Sequence, residues 1–266
     1  MARCVSTAAG LENQQNNDQV TRLILLGVTG GGKSSLGNTL LNYKQFISKA
    51  SSASITEYCQ VGYRNFNNRH LVIVDTPGFF DNNDIDEKTT CIKIGQSLQT
   101  TVPGPHAFLI VLPFTRVTDE VEKGWTWITT IFGERALNYC IIVFTGLDNL
   151  EADEQTVEQF LNNRIPSLAK LMEKCGERYV AFNNRALTDE KNTKIQELLN
   201  LIDLVIRNND NQVFTNKEID AISKVVEEET KKGSFIPNLP DGRIILLPQT
   251  EKIVVEAYMR KPAIPK

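Results

Sequence analysis

Disulfide-compatible cysteine spacing, long apolar runs and a surplus of one charge are all missing from this chain. Cys4, Cys59, Cys91, Cys140 and Cys175 are odd in number and far apart, with no C-x-x-C pair, so a reducing, cytoplasmic location is expected rather than a disulfide framework. No window reaches 18 apolar residues. A transmembrane segment is therefore not expected, although peripheral attachment to a membrane stays compatible with the chain. With 29 basic against 32 acidic residues the net charge is −3, which gives no bulk reason to expect nucleic acid as a partner. Only two tryptophans occur. Trp125 falls on a helical stripe with Val121, Ile128 and Phe132 and is expected to pack; Trp127 lies off it.

What is present begins with Leu23-Ile24-Leu25-Leu26-Gly27-Val28-Thr29-Gly30-Gly31-Gly32-Lys33-Ser34-Ser35. A continuous apolar run breaks into a glycine-rich turn and then into a helical pattern through Leu36, Leu40 and Leu41. Gly27 to Ser34 fits G-x-x-x-x-G-K-[ST], a phosphate loop whose amides wrap the α and β phosphates. The pattern arises by chance in about one chain in a hundred of this length at average glycine usage. The expected cradle is Gly27, Thr29, Gly30, Gly31, Gly32, Lys33, Ser34 and Ser35. Lys33 would reach the β and γ phosphates and is a catalytic candidate, and the Ser34 hydroxyl would bind Mg²⁺. The helix would aim its unpaired N–H groups at the anion.

Short apolar runs recur at 71–74, 107–112, 140–144 and 179–182, separated by helical patterns. Runs apolar on both faces predict a parallel sheet covered by helices. Residues 58–66 alternate more, and Asn67-Asn68 would turn them into the next run, giving one antiparallel edge strand. The expected class is α/β with a mostly parallel six-stranded sheet. Pro166 should kink or split the helical stripe that starts near Asp153. The nearly all-apolar stretch 195–206 needs cover, and the charged helix 217–232 is expected to supply it. A proline-containing tail follows Gly233, with a short hairpin around Asp241-Gly242.

Asp75-Thr76-Pro77-Gly78 closes the second buried run. An acid there suits a Mg²⁺ water ligand, and the Gly78 amide suits a γ-phosphate. Between it and the phosphate loop lies a Ser- and Ala-rich stretch, 44–56, of the kind that orders around Mg²⁺ and γ-phosphate. Thr56 is the preferred second hydroxyl ligand, with Ser51, Ser52 and Ser54 as rivals. Phe144-Thr145-Gly146-Leu147-Asp148 ends another strand, where Asp148, with Thr145 beside it, would read the two N–H groups of guanine. The motif expected there, [NT]-K-x-D, has its lysine replaced by Gly146. Asn183 or Asn184, after the last strand, is the candidate contact to the purine carbonyl.

Taken with Gly104-Pro105-His106-Ala107, Arg116-Val117-Thr118-Asp119-Glu120, Phe132-Gly133 and Phe214-Thr215-Asn216, these motifs resemble the AIG-type GTPases, including the GIMAP proteins, over about residues 21–230. The resemblance implies a Ras-like G domain with a C-terminal helical extension, GTP/GDP and Mg²⁺ as cofactors, and nucleotide-dependent pairing into a homodimer or oligomer. It also implies that Arg116 can reach a partner's phosphates as a catalytic arginine, against the plainer role of a surface arginine paired with Glu120. Phe79 stands where Ras-type enzymes hold a water-positioning glutamine, so turnover by the isolated chain should be slow. The expected divisions are a polar arm at 1–20, a G domain at 21–207, a helical extension at 208–233 and a tail at 234–266. The expected function is a slow GTPase that switches self-association. The alternative is a nucleotide-held scaffold with negligible hydrolysis, and an ATPase is a distant third.

Overall fold

The structure is a computed structural model, and it describes residues 19–48, 58–78, 87–114, 120–236 and 238–258. Six strands, β1 (Gln19–Leu26), β2 (Gln60–Phe66), β3 (Arg69–Asp75), β4 (Ala107–Pro113), β5 (Cys140–Thr145) and β6 (Tyr179–Phe182), form one sheet in the order β2-β3-β1-β4-β5-β6. All neighbours are parallel except β2 and β3. That antiparallel pair turns on Asn67 and Asn68, both at positive φ (47° and 59°), the left-handed pair that a two-residue hairpin requires. Strand order reverses at β1, which lies between β3 and β4. A ligand crevice is expected at such a point, beyond the carboxyl ends of the strands.

The central strands are apolar on both faces because helices cover both. Leu23 to Leu26, Leu109 and Ile141 to Phe144 are fully buried. Helix α1 (Lys33–Leu41) follows the glycine turn, α2 (Glu87–Thr100) precedes β4, and α3 (Glu120–Phe132) leads through a short 3₁₀ turn (Glu134–Tyr139) into β5. After β5 come α4 (Leu147–Ala152), α5 (Val157–Asn162) and α6 (Pro166–Lys174). The stripe is split in two as expected, with Pro166 at the first position of α6, where its missing N–H is harmless. Trp125 is half-buried, its ring under the ammonium groups of Lys170 and Lys174 at 5.0 and 5.1 Å.

Helix α7 (Thr188–Asn208) buries one face, through Ile195, Leu198, Leu199, Ile202 and Val205, against β6 and the 3₁₀ turn. Helix α8 (Lys217–Lys231) does not supply the cover expected of it. It packs chiefly on α2 and on a further helix, α9 (Pro248–Tyr258). The apolar positions of α7 left over are half-buried at Leu201 and Ile206 or exposed at Leu204, so one covered face suffices. Phe214 explains the path between the two helices. Its ring joins Phe108 and Tyr139 at 5.2 and 5.4 Å between centroids, and its N–H donates to the Pro105 carbonyl at 2.9 Å. Two residues later Asn216 caps α8 by accepting from the Ile219 N–H at 2.9 Å.

The expected turn at Asp241-Gly242 is present, with the Leu239 N–H donating to the Arg243 carbonyl. It lies along β2, where the Val61 N–H donates to the Gly242 carbonyl at 2.8 Å. Helix α9 was not anticipated. The prolines of the tail suggested irregular chain, yet Pro248 begins a helix that docks on α2. Among the described residues no helix is long and apolar enough to cross a membrane. Cys59, Cys91, Cys140 and Cys175 are free, buried thiols. Residues 1–18, Thr56, Phe79, Arg116, Asp119, the side chain of Trp127 and residues 259–266 lie outside the described residues.

Candidate functional site

Strands β1, β3, β5 and β6 end on the same side of the sheet, and each delivers a loop that the sequence had singled out. The turn after β1 passes so close to β4 that a methyl group on Gly27 would run into the Val111 carbonyl. Gly32, at φ 91°, begins α1 and lies against Thr145, where a methyl group would come 3.0 Å from its Oγ1. Lys33 is buried, and its ammonium donates to the carbonyls of Gly27 and Val28 at 3.0 and 2.7 Å. Its positive charge is thus clamped inside the loop.

Ser34 Oγ donates to Asp75 Oδ2 at 2.6 Å, which joins the first turn of α1 to the end of β3. Asp75 is fully buried, and its Oδ1 meets no hydrogen-bond donor among the described residues. Burial pushes the Asp75 carboxyl up to about 6, against the Ser34 hydrogen bond, the Lys33 charge and the Thr76 amide, which pull it down. A buried carboxylate oxygen without a donor, beside a hydroxyl and an ammonium, fits a hard divalent cation held through oxygens and water. Thr76 Oγ1 donates to the Leu25 carbonyl at 2.5 Å, pinning the start of the Asp75–Gly78 turn to β1.

On the other side, Thr145 Oγ1 donates to the Gly31 carbonyl at 2.8 Å. Gly146 follows at φ 78° and caps α4, which carries Asp148 in its first turn. A side chain at position 146 would be strained in this conformation. The Asp148 carboxylate accepts from Arg185 Nη1 at 3.2 Å. Asn184 Oδ1 accepts from Thr39 Oγ1 at 3.0 Å, tying the β6 loop to α1, while Asn183 Oδ1 accepts from the Arg185 N–H at 2.8 Å. Asn184 is thus engaged with α1 and Asn183 with its own loop, both following the strand end that neighbours β5. Arg185 was passed over in the sequence, where only its place directly after the Asn pair could have marked it. His106 proves structural, its Nδ1 accepting from the Arg22 N–H at 3.0 Å.

The AIG1 family model matches residues 21–233. The chain belongs to the AIG1 family. Among relatives, immune-associated nucleotide-binding protein 8 of Arabidopsis thaliana is 36% identical over 217 residues, covering 80% of this chain and 61% of that protein. GTPase IMAP family member 8 of Homo sapiens is 32% identical over 213 residues, covering 79% of this chain and 30% of that protein. The AIG1 chain thus spans about three fifths or less of the length of these relatives. Toc33 of Arabidopsis thaliana, solved in complex with GDP and Mg²⁺, superposes with a TM-score of 0.55 at 22% identity, covering 75% of this chain and 88% of that one. The AIG1 chain has the fold of a Ras-like G domain.

Proposed function

We propose that this AIG1 chain binds GTP and GDP with Mg²⁺, hydrolyses GTP slowly and switches self-association with the nucleotide state. The observation that carries the proposal is the meeting of Lys33, the Ser34–Asp75 pair and the Thr145–Gly31 contact at the ends of three strands. The proposal takes these as a phosphate loop, an acidic cation ligand and a base-reading strand end. The family membership and the G-domain fold support the same reading.

In this scheme the amides from Gly27 to Ser35, with the Gly78 amide, hold the phosphate tail. Lys33 exchanges its two carbonyl acceptors for β and γ phosphate oxygens. Ser34, Asp75 and, on sequence grounds, Thr56 would hold Mg²⁺, which neutralises charge developing on the phosphate oxygens. Asp148 accepts from the guanine N–H groups, with Thr145 bracing the loop and Asn183 or Asn184 facing the purine carbonyl. Arg116 is the proposed group supplied across a dimer.

Identification of the nucleotide that copurifies with the protein tests the binding step, with guanine nucleotide as the expected result. Lys33→Ala should abolish retention, and retention at the wild-type level would overturn the site. For self-association, GTP turnover per molecule should rise across roughly a hundredfold range of protein concentration by mass action. A flat profile would remove dimer activation, and single-turnover hydrolysis on a timescale of minutes would exclude the scaffold alternative.

A further inference from the structure

The motif position where a lysine is expected holds Gly146, at a left-handed φ of 78°. A cation nonetheless stands beside the carboxylate, delivered from the loop between β6 and α7. Arg185 Nη1 lies 3.2 Å from Asp148 Oδ2. The arginine is 84% exposed along its side chain, whereas Asp148 is 24% exposed, so the pair leans from solvent onto a carboxylate that is itself largely enclosed.

The loop carrying Arg185 is tied to α1 at one point and braced by one contact within itself. Asn184 is tied to Thr39 on α1, and the Asn183 side chain accepts from the Arg185 backbone N–H at 2.8 Å. The guanidinium meets Asp148 from its own solvent-exposed position. A carboxylate offers about four acceptor positions, so one arginine N–H leaves room for the two N–H groups of a guanine. The arginine limits the rotation of the carboxylate and so lowers the ordering cost of a paired contact with the base.

We propose that Arg185, delivered from a different strand end, is a positioning residue for base selection. It acts through Asp148 and touches no reacting atom. The inference rests on the proposed guanine-nucleotide function.

The test compares wild type, Arg185→Ala and Arg185→Lys for equilibrium binding of GDP and ADP, with Asp148→Asn and the double variant measured against xanthosine diphosphate. Arg185→Ala should weaken GDP binding by about two- to fivefold, the range of a solvent-facing ion pair. It should leave ADP binding unchanged, so that discrimination falls by the same factor. Arg185→Lys should restore part of the loss, and the loss should shrink in about 1 M salt. In the Asp148→Asn background, where no ion pair remains, removing the arginine should not alter xanthosine diphosphate binding. Unchanged GDP affinity in Arg185→Ala, an equal loss for ADP, or tighter GDP binding overturns the proposal, the last by making Arg185 a competitor of the base. Wild-type protein that binds no guanine nucleotide overturns the underlying function instead, which separates the two failures.

Discussion

Thr145 and Gly31, 114 positions apart in the chain, are joined by a 2.8 Å hydrogen bond from the threonine hydroxyl to the glycine carbonyl. Through it the strand end expected to read the base braces the loop expected to hold the phosphates. Thr145→Val keeps the shape and removes the donor, leaving the Gly31 carbonyl without that partner. The expected cost is about 1–3 kcal/mol of stability, together with faster nucleotide release. Thermal melting and dissociation of a fluorescent GDP check both, and Thr145→Ser should behave as wild type.

The Ser34–Asp75 contact leads to a second expectation. If the two oxygens hold Mg²⁺, chelation by EDTA should speed GDP release from the wild-type protein, because the cation bridges protein and phosphate. Ser34→Ala removes one oxygen and the donor to Asp75. Release from this variant should already be fast and respond little to EDTA. A normal EDTA response would take Ser34 out of the cation site.

His106 predicts a pH dependence. Burial, aided by the charges of Arg22 and Arg69, lowers its pKa from 6.5 to about 3. The folded chain holds the ring neutral with Nδ1 accepting from Arg22, while the unfolded chain takes up a proton near the ordinary value. Its stabilisation is fully present above about pH 6.5 and is lost as pH falls toward 3. His106→Gln can retain an acceptor for the Arg22 N–H without binding a proton. The wild type should lose about 1.4 kcal/mol per pH unit more than this variant between pH 6 and 4, measured by urea unfolding. Parallel pH profiles would rule out a buried neutral His106.

Much of this architecture was legible because local pattern and global role coincide. The run from Leu23 to Leu26 is apolar on both faces because helices cover both, and Asn67-Asn68 adopts the positive φ values that make its hairpin. The glycine turn and Asp75 could be read because their positions are fixed by close approach of the chain to itself, Gly27 to Val111, Gly32 to Thr145 and Asp75 to Ser34. What escaped depends on contacts distant in sequence. Helix α9 was hidden by tail prolines whose positions are turn-like in isolation, and its place is set by packing on α2. The partner of α8 was misassigned for a related reason. An amphipathic stripe shows that a face is buried but not against what, and the adjacent helix α7 already had its cover in β6. Arg185 escaped because its meaning lies in an ion pair to Asp148, 37 positions earlier, and an exposed arginine carries no periodic signal.

The attachment of α9 gives the last prediction. Gln99 is almost fully buried, and its amide bridges the backbone ahead of α9, donating to the Ile245 carbonyl at 2.7 Å and accepting from the Leu247 N–H at 2.9 Å. Gln99→Leu preserves the approximate size and removes both contacts, leaving the Leu247 N–H and the Ile245 carbonyl without those partners at a combined cost of about 1–3 kcal/mol. Because α9 docks at the edge of the domain, on α2 and α8 rather than in the sheet, the loss should be local before it is global. Amide hydrogen exchange should accelerate across residues 247–258 while the amides of Leu23 to Leu26 keep their protection. Equal acceleration in both regions would mean that α9 and the sheet open as one unit, and the bridge at Gln99 would then contribute to the whole domain rather than to the helix it holds.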